Sequence, residues 1–379
     1  MEKAVKCNRT ELGFSWIDPR NNASNKNLKY AINAYSILAN GQSVKFLKNR
    51  PQIIPKTIYQ AELKEQSRVF QTGGTSGKPS MVFHNGHSIT SAIRNLQEKL
   101  GSEPISSFCC LPLNHVGGWM QIERAKYTKG TVLFSNYKEI ICSDLTSVLS
   151  NRWISLVPTQ LHYLLGFEQA MKNLRSSKGV FTGGAKLTDK IQVQLRKHDI
   201  PIFPCYGMSE TAGMITLLDS NQFLGGVNGV GHALPSVKMK LVENQVFVST
   251  DSLCYQKNET TMQEVWYKTN DLATYDSNFG YTITGRIDRL INTGGIKVNP
   301  ESIEKVILEH PNVSQCLVVG QKDEHWVEKI VAYLVLSKGD LSLVQNQLKA
   351  SLPDHEIPKE WHCVHDLPLT DMGKIRKPN

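Results

Sequence analysis

Thr72-Gly73-Gly74-Thr75-Ser76-Gly77-Lys78-Pro79 has the composition of a loop that wraps a polyphosphate. Its glycines let backbone N–H groups turn toward one point, its hydroxyls add donors, and Lys78 adds a positive charge. A Walker-type loop needs GxxxxGK[ST]. Here Thr72 stands where the first glycine should be, and Pro79 replaces the hydroxyl that would hold Mg²⁺. P-loop ATPases and kinases are therefore excluded. Taken alone, the loop could equally be a flexible surface turn.

Further segments give it company. The glycine-rich loop is similar to the signature of the adenylate-forming family: acyl-CoA synthetases, luciferases and nonribosomal-peptide adenylation domains. LPLNHVGGW (111–119) resembles the segment carrying that family's acyl-pocket histidine, here His115. Thr182-Gly183-Gly184-Ala185 resembles the loop beside the adenine. Tyr206-Gly207-Met208-Ser209-Glu210-Thr211 is similar to the YGxTE motif, with Ser209 at the usual threonine. Thr269-Asn270-Asp271 resembles TGD, with Asn270 in place of glycine. Gly285-Arg286-Ile287-Asp288 resembles the GRxD hinge motif, and Asn292 to Val298, with Gly294-Gly295, continues it. Pro368 to Arg376 is similar to the C-terminal motif whose lysine, here Lys374, serves adenylation. Each is short, but they fall in the family's order.

The resemblance implies an enzyme that uses ATP, Mg²⁺ and coenzyme A. Carboxylate and ATP would give acyl-AMP and pyrophosphate, and the thiol of CoA would displace AMP. Lys374 would stabilise the charge that builds as the carboxylate attacks the α-phosphate. Glu210 would hold Mg²⁺, for which a single carboxylate suffices when phosphate oxygens supply other ligands. Asp271 would accept both ribose hydroxyls, with Arg286 touching the ribose or a phosphate. Asp288 would be the hinge, and Gly294-Gly295 would let pantetheine approach. Tyr206 would lie beside the adenine or in the core. His115 would gate the acyl pocket, polarise the substrate, or simply pack.

Within the family, the LPLNHVGG segment and the short chain are most similar to ligases acting on 2-succinylbenzoate in quinone synthesis. That acid is a dianion with a ketone and an aromatic ring. It needs apolar walls and a cationic or polar contact, for which Trp119, Arg124 and Lys126 compete. Another small aryl or aliphatic acid is the enzyme alternative. A degenerate nucleotide-binding interaction protein is the non-enzyme alternative. Lys374, Glu210 and Asp271 are all in place, which argues against decay.

Elements must position these residues. VFQ (69–71), the glycine-rich turn and MVFH read as strand, turn, strand. SITSAIRNLQEKLG (88–101) reads as a helix capped by Ser88 and stopped by Gly101. A helix is also expected over 30–41 and a strand over 106–113. Strands and helices then alternate from 154 to 207, which predicts a mostly parallel sheet with ligands at its carboxyl ends. VKMKLV and QVFVST predict a β-rich subdomain. From 288, a helix over 300–311, two strands and another helix predict a compact unit.

The expected fold class is therefore α/β: a large N-terminal domain over 1–287, of parallel sheets with helices plus a β-rich subdomain, and a small mobile α+β C-terminal domain over 288–379. The formal net charge is +9, which suits an enzyme of polyanions. The lysines are dispersed and no zinc-finger or RNP pattern occurs, so nucleic acid is not an expected partner. Eight cysteines without a CxxC pair read as reduced thiols of a cytoplasmic protein. No run of some 20 apolar residues spans a bilayer, and no signal peptide is read at the N-terminus.

Overall fold

The computed structural model describes residues 15–17, 44–46, 51–53, 67–72, 80–254, 265–337 and 340–368. Residues 73–78 of the glycine-rich loop, Lys374 and the helix expected over 30–41 lie outside the described residues. Thr72 closes the strand Arg68–Thr72, and the chain resumes in Ser80–His84, antiparallel to it.

An eight-stranded sheet forms the centre. Its order is Ser15–Ile17, Thr131–Phe134, Ser107–Cys109, Trp153–Leu156, Gly179–Thr182, Ile202–Met208, Gly213–Leu217, His232–Ala233. The first six run parallel, and the last two turn antiparallel. Every residue of Ser107–Cys109 and of Gly179–Thr182 is buried, as befits parallel strands covered on both faces. Helices Val116–Thr128, Pro158–Leu164, Glu168–Arg175 and Asp189–Lys197 lie between the strands in sequence. Trp119, Ile154, Leu161, Val180 and Leu195 close the core beneath them.

The expected β-rich subdomain is a four-stranded antiparallel sheet: Lys238–Val242, Gln245–Ser249, Tyr267–Asp276, Gly280–Arg286. Beyond it the chain builds a separate core. Strands Ile291–Thr293, Ile296–Val298, Val313–Asp323, Val327–Leu336 and Glu360–Cys363 form one sheet. Helices Pro300–Glu309 and Leu341–Ser351 cover it through Ile303, Ile307, Val344 and Leu348, all fully buried. Lys190 Nζ, on the large domain, donates to the carbonyl of His310 at 2.6 Å and bridges the two cores.

Two local expectations need correction. The helix after His84 spans Gly86–Lys99, and its cap is Asn85, not Ser88. The Asn85 side chain accepts from Ser88 N at 2.9 Å, so Ser88 is already inside the first turn. The strand expected over 106–113 is only Ser107–Cys109. The chain then leaves the sheet so that His115 can cap Val116–Thr128. Among the described residues, no helix is long and apolar enough to cross a membrane.

Candidate active site

Two neighbouring parallel strands end side by side. Gly183-Gly184-Ala185 follows Gly179–Thr182, and Tyr206-Gly207-Met208 ends Ile202–Met208. A Cβ on Gly207 would come within 2.0 Å of the Gly213 carbonyl, so only glycine lets the motif turn back as the next strand. Gly184 has φ +81°, the left-handed region that glycine tolerates. The expected adenine-side residues therefore share the carboxyl edge of the sheet, where open α/β sheets bind ligands.

Asp271 and Arg286 are Cα partners across the antiparallel pair Tyr267–Asp276 and Gly280–Arg286. That pairing joins two motifs fifteen residues apart. Arg286 Nη1 donates to Asp271 Oδ1 at 2.9 Å, and the Tyr206 hydroxyl donates to Asp271 Oδ2 at 2.7 Å. Arg286 Nε and Nη2 both donate to Asp288, each at 2.8 Å. The Asp288 hydrogen bonds are the chief reason the guanidinium holds its proton more firmly than usual. Burial, then the Asp271 charge, pushes the Tyr206 phenol up, so it stays a donor. Four of the expected residues thus form one corner.

Glu210 sits in a three-residue 3₁₀ turn, Ser209–Thr211. It does not open a longer helix. Thr211 is fully buried, and its hydroxyl accepts from Met208 N and donates to the Gly213 carbonyl at 2.7 Å. Cys254 N donates to the Glu210 carbonyl at 2.6 Å. The neighbours that feel the Glu210 charge are Tyr267 and Cys254, both pushed up to about 12, first by burial. The donor set fits Mg²⁺ completed by phosphate oxygens and water, since one carboxylate on a braced turn is what such an ion takes from protein. Among the described residues there is no cluster of three or more His, Cys, Asp or Glu side chains for a dedicated metal cage.

Helix Val116–Thr128 carries Trp119, Arg124 and Lys126 and places them in different surroundings. Trp119 is fully buried and donates its indole N–H to Glu123 at 2.9 Å. Glu123 also holds Arg68 Nε at 2.9 Å, so Trp119 and Glu123 belong to the core rather than to a pocket wall. Lys126 feels the Glu123 charge and is exposed. Arg124 is different. It is only 5% exposed, and its Nε has no hydrogen-bond partner among the described residues. Burial pushes its pKa down to about 10, and among the described residues no carboxylate pairs with it. Its guanidinium approaches Gly213, where an added Cβ would lie 3.4 Å from Nη2. His115 caps the same helix with extended backbone.

Gly294 and Gly295, with φ +60° and +86°, turn Ile291–Thr293 into Ile296–Val298. This turn belongs to the C-terminal sheet, and Gly294 N donates to the Trp326 carbonyl at 2.7 Å. None of the sequence motifs assigns a role to His84. It is fully buried and reaches the Glu210 turn. A signal was available in its place on the strand directly after the glycine-rich loop.

The AMP-binding enzyme family profile matches residues 41–250, and that of the AMP-binding enzyme C-terminal domain matches 302–374. A 2-succinylbenzoate–CoA ligase of Enterococcus faecalis is 26% identical over 337 residues, covering 84% of this chain and 69% of its own. The corresponding ligase of Listeria innocua is 27% identical, covering 90% and 75%. Among solved structures, the o-succinylbenzoate CoA synthetase of Bacillus subtilis, in complex with its acyl-adenylate intermediate, shares the fold. Its TM-score is 0.70, with 24% identity, over 81% of this chain and 67% of that one. The chain belongs to the AMP-binding enzyme family.

Proposed function

We propose that the protein is an ATP-dependent, AMP-forming acid–thiol ligase, and that it converts 2-succinylbenzoate to its CoA thioester as a step of quinone synthesis in the cytoplasm. The family match and the named ligases support the reaction class. Arg124 carries the substrate reading. A buried guanidinium with no carboxylate partner among the described residues is costly unless an anion arrives to meet it. A benzoate activated at one carboxylate and recognised at another supplies that anion. A monocarboxylic acid does not, because its only carboxylate is consumed in the reaction.

Residue roles follow. Residues 72–78 wrap the phosphates. Gly183, Gly184 and Ala185 flank the adenine with Tyr206, and Asp271 accepts the ribose hydroxyls. Mg²⁺ held by Glu210 would neutralise charge on the phosphate oxygens as pyrophosphate leaves. Lys374 would offset the negative charge that gathers on the α-phosphate oxygens as the carboxylate attacks. His115 gates the acyl side from the helix cap. The body spans 1–287 and the lid 288–379. Rotation at Asp288 exchanges Lys374 for the Gly294-Gly295 turn, whose lack of side chains admits pantetheine.

The test is AMP release dependent on acid and CoA, with 2-succinylbenzoate set against benzoate, other aryl acids and short fatty acids. Turnover confined to the dicarboxylate supports the assignment. Preference for a monocarboxylic acid refutes the substrate, and absence of AMP release with every acid refutes the ligase.

A further inference from the structure

His84 ties together two segments that the reaction uses separately. It ends the strand Ser80–His84, which follows the glycine-rich loop in sequence, and it is fully buried. Its Nε2 lies 2.7 Å from the Ser209 carbonyl oxygen, and its Nδ1 lies 3.1 Å from Ser88 Oγ. A carbonyl only accepts, so Nε2 carries the proton. Nδ1 of the neutral ring then accepts, and the Ser88 hydroxyl shares its one proton between that nitrogen and the Asn85 carbonyl oxygen 3.2 Å away. Phe70 packs edge-on against the ring, with centroids 6.3 Å apart. The ring therefore has one tautomer and one place to sit. Burial pushes its pKa down to about 4, which keeps it neutral near pH 7.

Ser209 opens the turn that carries Glu210. The next carbonyl, that of Glu210, is held by Cys254 N. The two peptide planes flanking Glu210 are thus each fixed by a bond from a distant part of the chain. Those planes determine where the Glu210 side chain leaves the backbone. Loss of one bond lets a three-residue turn tilt, and small tilts at the backbone become larger displacements at a glutamate carboxylate.

We infer that His84 is a positioning residue for adenylation: by donating to the Ser209 carbonyl, it sets the direction in which Glu210 presents its carboxylate to Mg²⁺ and ATP. The inference rests on the metal-binding role given to Glu210 under the proposed function. Its test separates metal-dependent from metal-free nucleotide binding. Calorimetric titration measures ATP with Mg²⁺, ATP with EDTA, and AMP with EDTA, for wild type, His84→Leu, His84→Gln and Ser88→Ala.

His84→Leu should weaken Mg²⁺-dependent ATP binding about tenfold. It should raise the Mg²⁺ concentration for half-maximal adenylation in step, and leave metal-free AMP binding within twofold. His84→Gln retains an N–H donor and should recover most of the loss. Ser88→Ala frees the tautomer and should move the same quantities two- to threefold, which decides the matter if His84→Leu does not fold. Equal loss of AMP and MgATP affinity would overturn the inference, because it would mean general loosening. Unchanged Mg²⁺ dependence in folded His84→Leu and Ser88→Ala would overturn it too. A wild type whose ATP affinity ignores Mg²⁺ would defeat the role of Glu210 itself, and that failure is visible before any substitution is made.

Discussion

Two cations in this molecule, one half-exposed and one buried, live under opposite terms. Arg286 spends its donors on Asp271 and Asp288, which meet it at 2.8–2.9 Å. Arg124 is only 5% exposed, yet among the described residues no carboxylate pairs with it. The first corner is satisfied before ligand arrives, so binding there must exchange one set of hydrogen bonds for another. The second has no such partner among the described residues. A satisfied network gives geometry and modest net energy. An unsatisfied buried charge gives strong selection for the anion that completes it. On the proposed roles the two regions would divide the work: the Asp271 corner would position the nucleotide, and Arg124 would choose the acid.

Arg124→Met tests the second term most severely. Truncating one partner of a buried charged contact costs about 2–5 kcal/mol. The kcat/KM for 2-succinylbenzoate should fall by about two to three orders of magnitude, while ATP affinity in the absence of acid stays unchanged. Thermal unfolding supplies the second readout. Removing a buried charge that lacks a counterion should leave Tm unchanged or raise it. A steep fall in Tm would mean that Arg124 is held by the protein for its own sake, and the contrast with Arg286 would collapse.

Asp271→Asn addresses the first term. The amide keeps the shape but loses one acceptor, and it leaves Arg286 with one carboxylate where it had two. Hydrogen bonds to charged groups are worth about 1.5–3 kcal/mol each. The KM for ATP should rise roughly thirty- to hundredfold, with acid preference untouched. If the acid profile shifts instead, the two regions are not separate.

The contrast between these regions was only partly legible in the sequence. The motifs named Tyr206, Asp271, Arg286 and Asp288, but not that Asp271 faces Arg286. That pairing depends on the register of two strands, with an irregularity between Leu272 and Ala273 that no local pattern reveals. Arg124 was one of three candidates on one helix. Spacing could not rank them, because the ranking follows from Glu123 claiming Trp119 and Arg68. His84 was passed over since its partner lies 125 residues away. Element types, by contrast, were readable, because apolar periodicity and glycine turns are local. The Ser88 cap failed for a local reason as well: Asn85 and Ser88 are both good caps, and the chain uses the earlier one.

Burial acts on His84 and Arg124 alike, and pH separates the outcomes. It pushes His84 to about 4 and Arg124 to about 10. Only the arginine remains charged near neutrality. In the unfolded chain the histidine titrates near 6.5. Between those values the unfolded state binds the extra proton, so stability should fall as pH drops from about 6.5 toward 4, by up to about 3 kcal/mol. Chemical denaturation of wild type and His84→Gln across that window checks it. A slope that survives in the variant would assign the loss to other groups.

The smallest effect is expected at Asp288. Its bond with Arg286 is partly open to solvent, with side-chain exposures of 36% for Arg286 and 28% for Asp288. Such pairs are worth about 0–1 kcal/mol. In Asp288→Ala the guanidinium loses one carboxylate and leans harder on Asp271, which makes Asp271 less ready to release its oxygens to a ribose. The KM for ATP should rise about two- to fivefold, with the adenylation rate at saturation unchanged. A change near that for Asp271→Asn would show that Arg286 is poised between its two carboxylates, so that ribose binding at one end loosens the hinge at the other. A small change leaves the corner as a rigid cradle, and the proposed lid rotation would then depend on contacts such as Lys190 to the carbonyls of His310 and Val313.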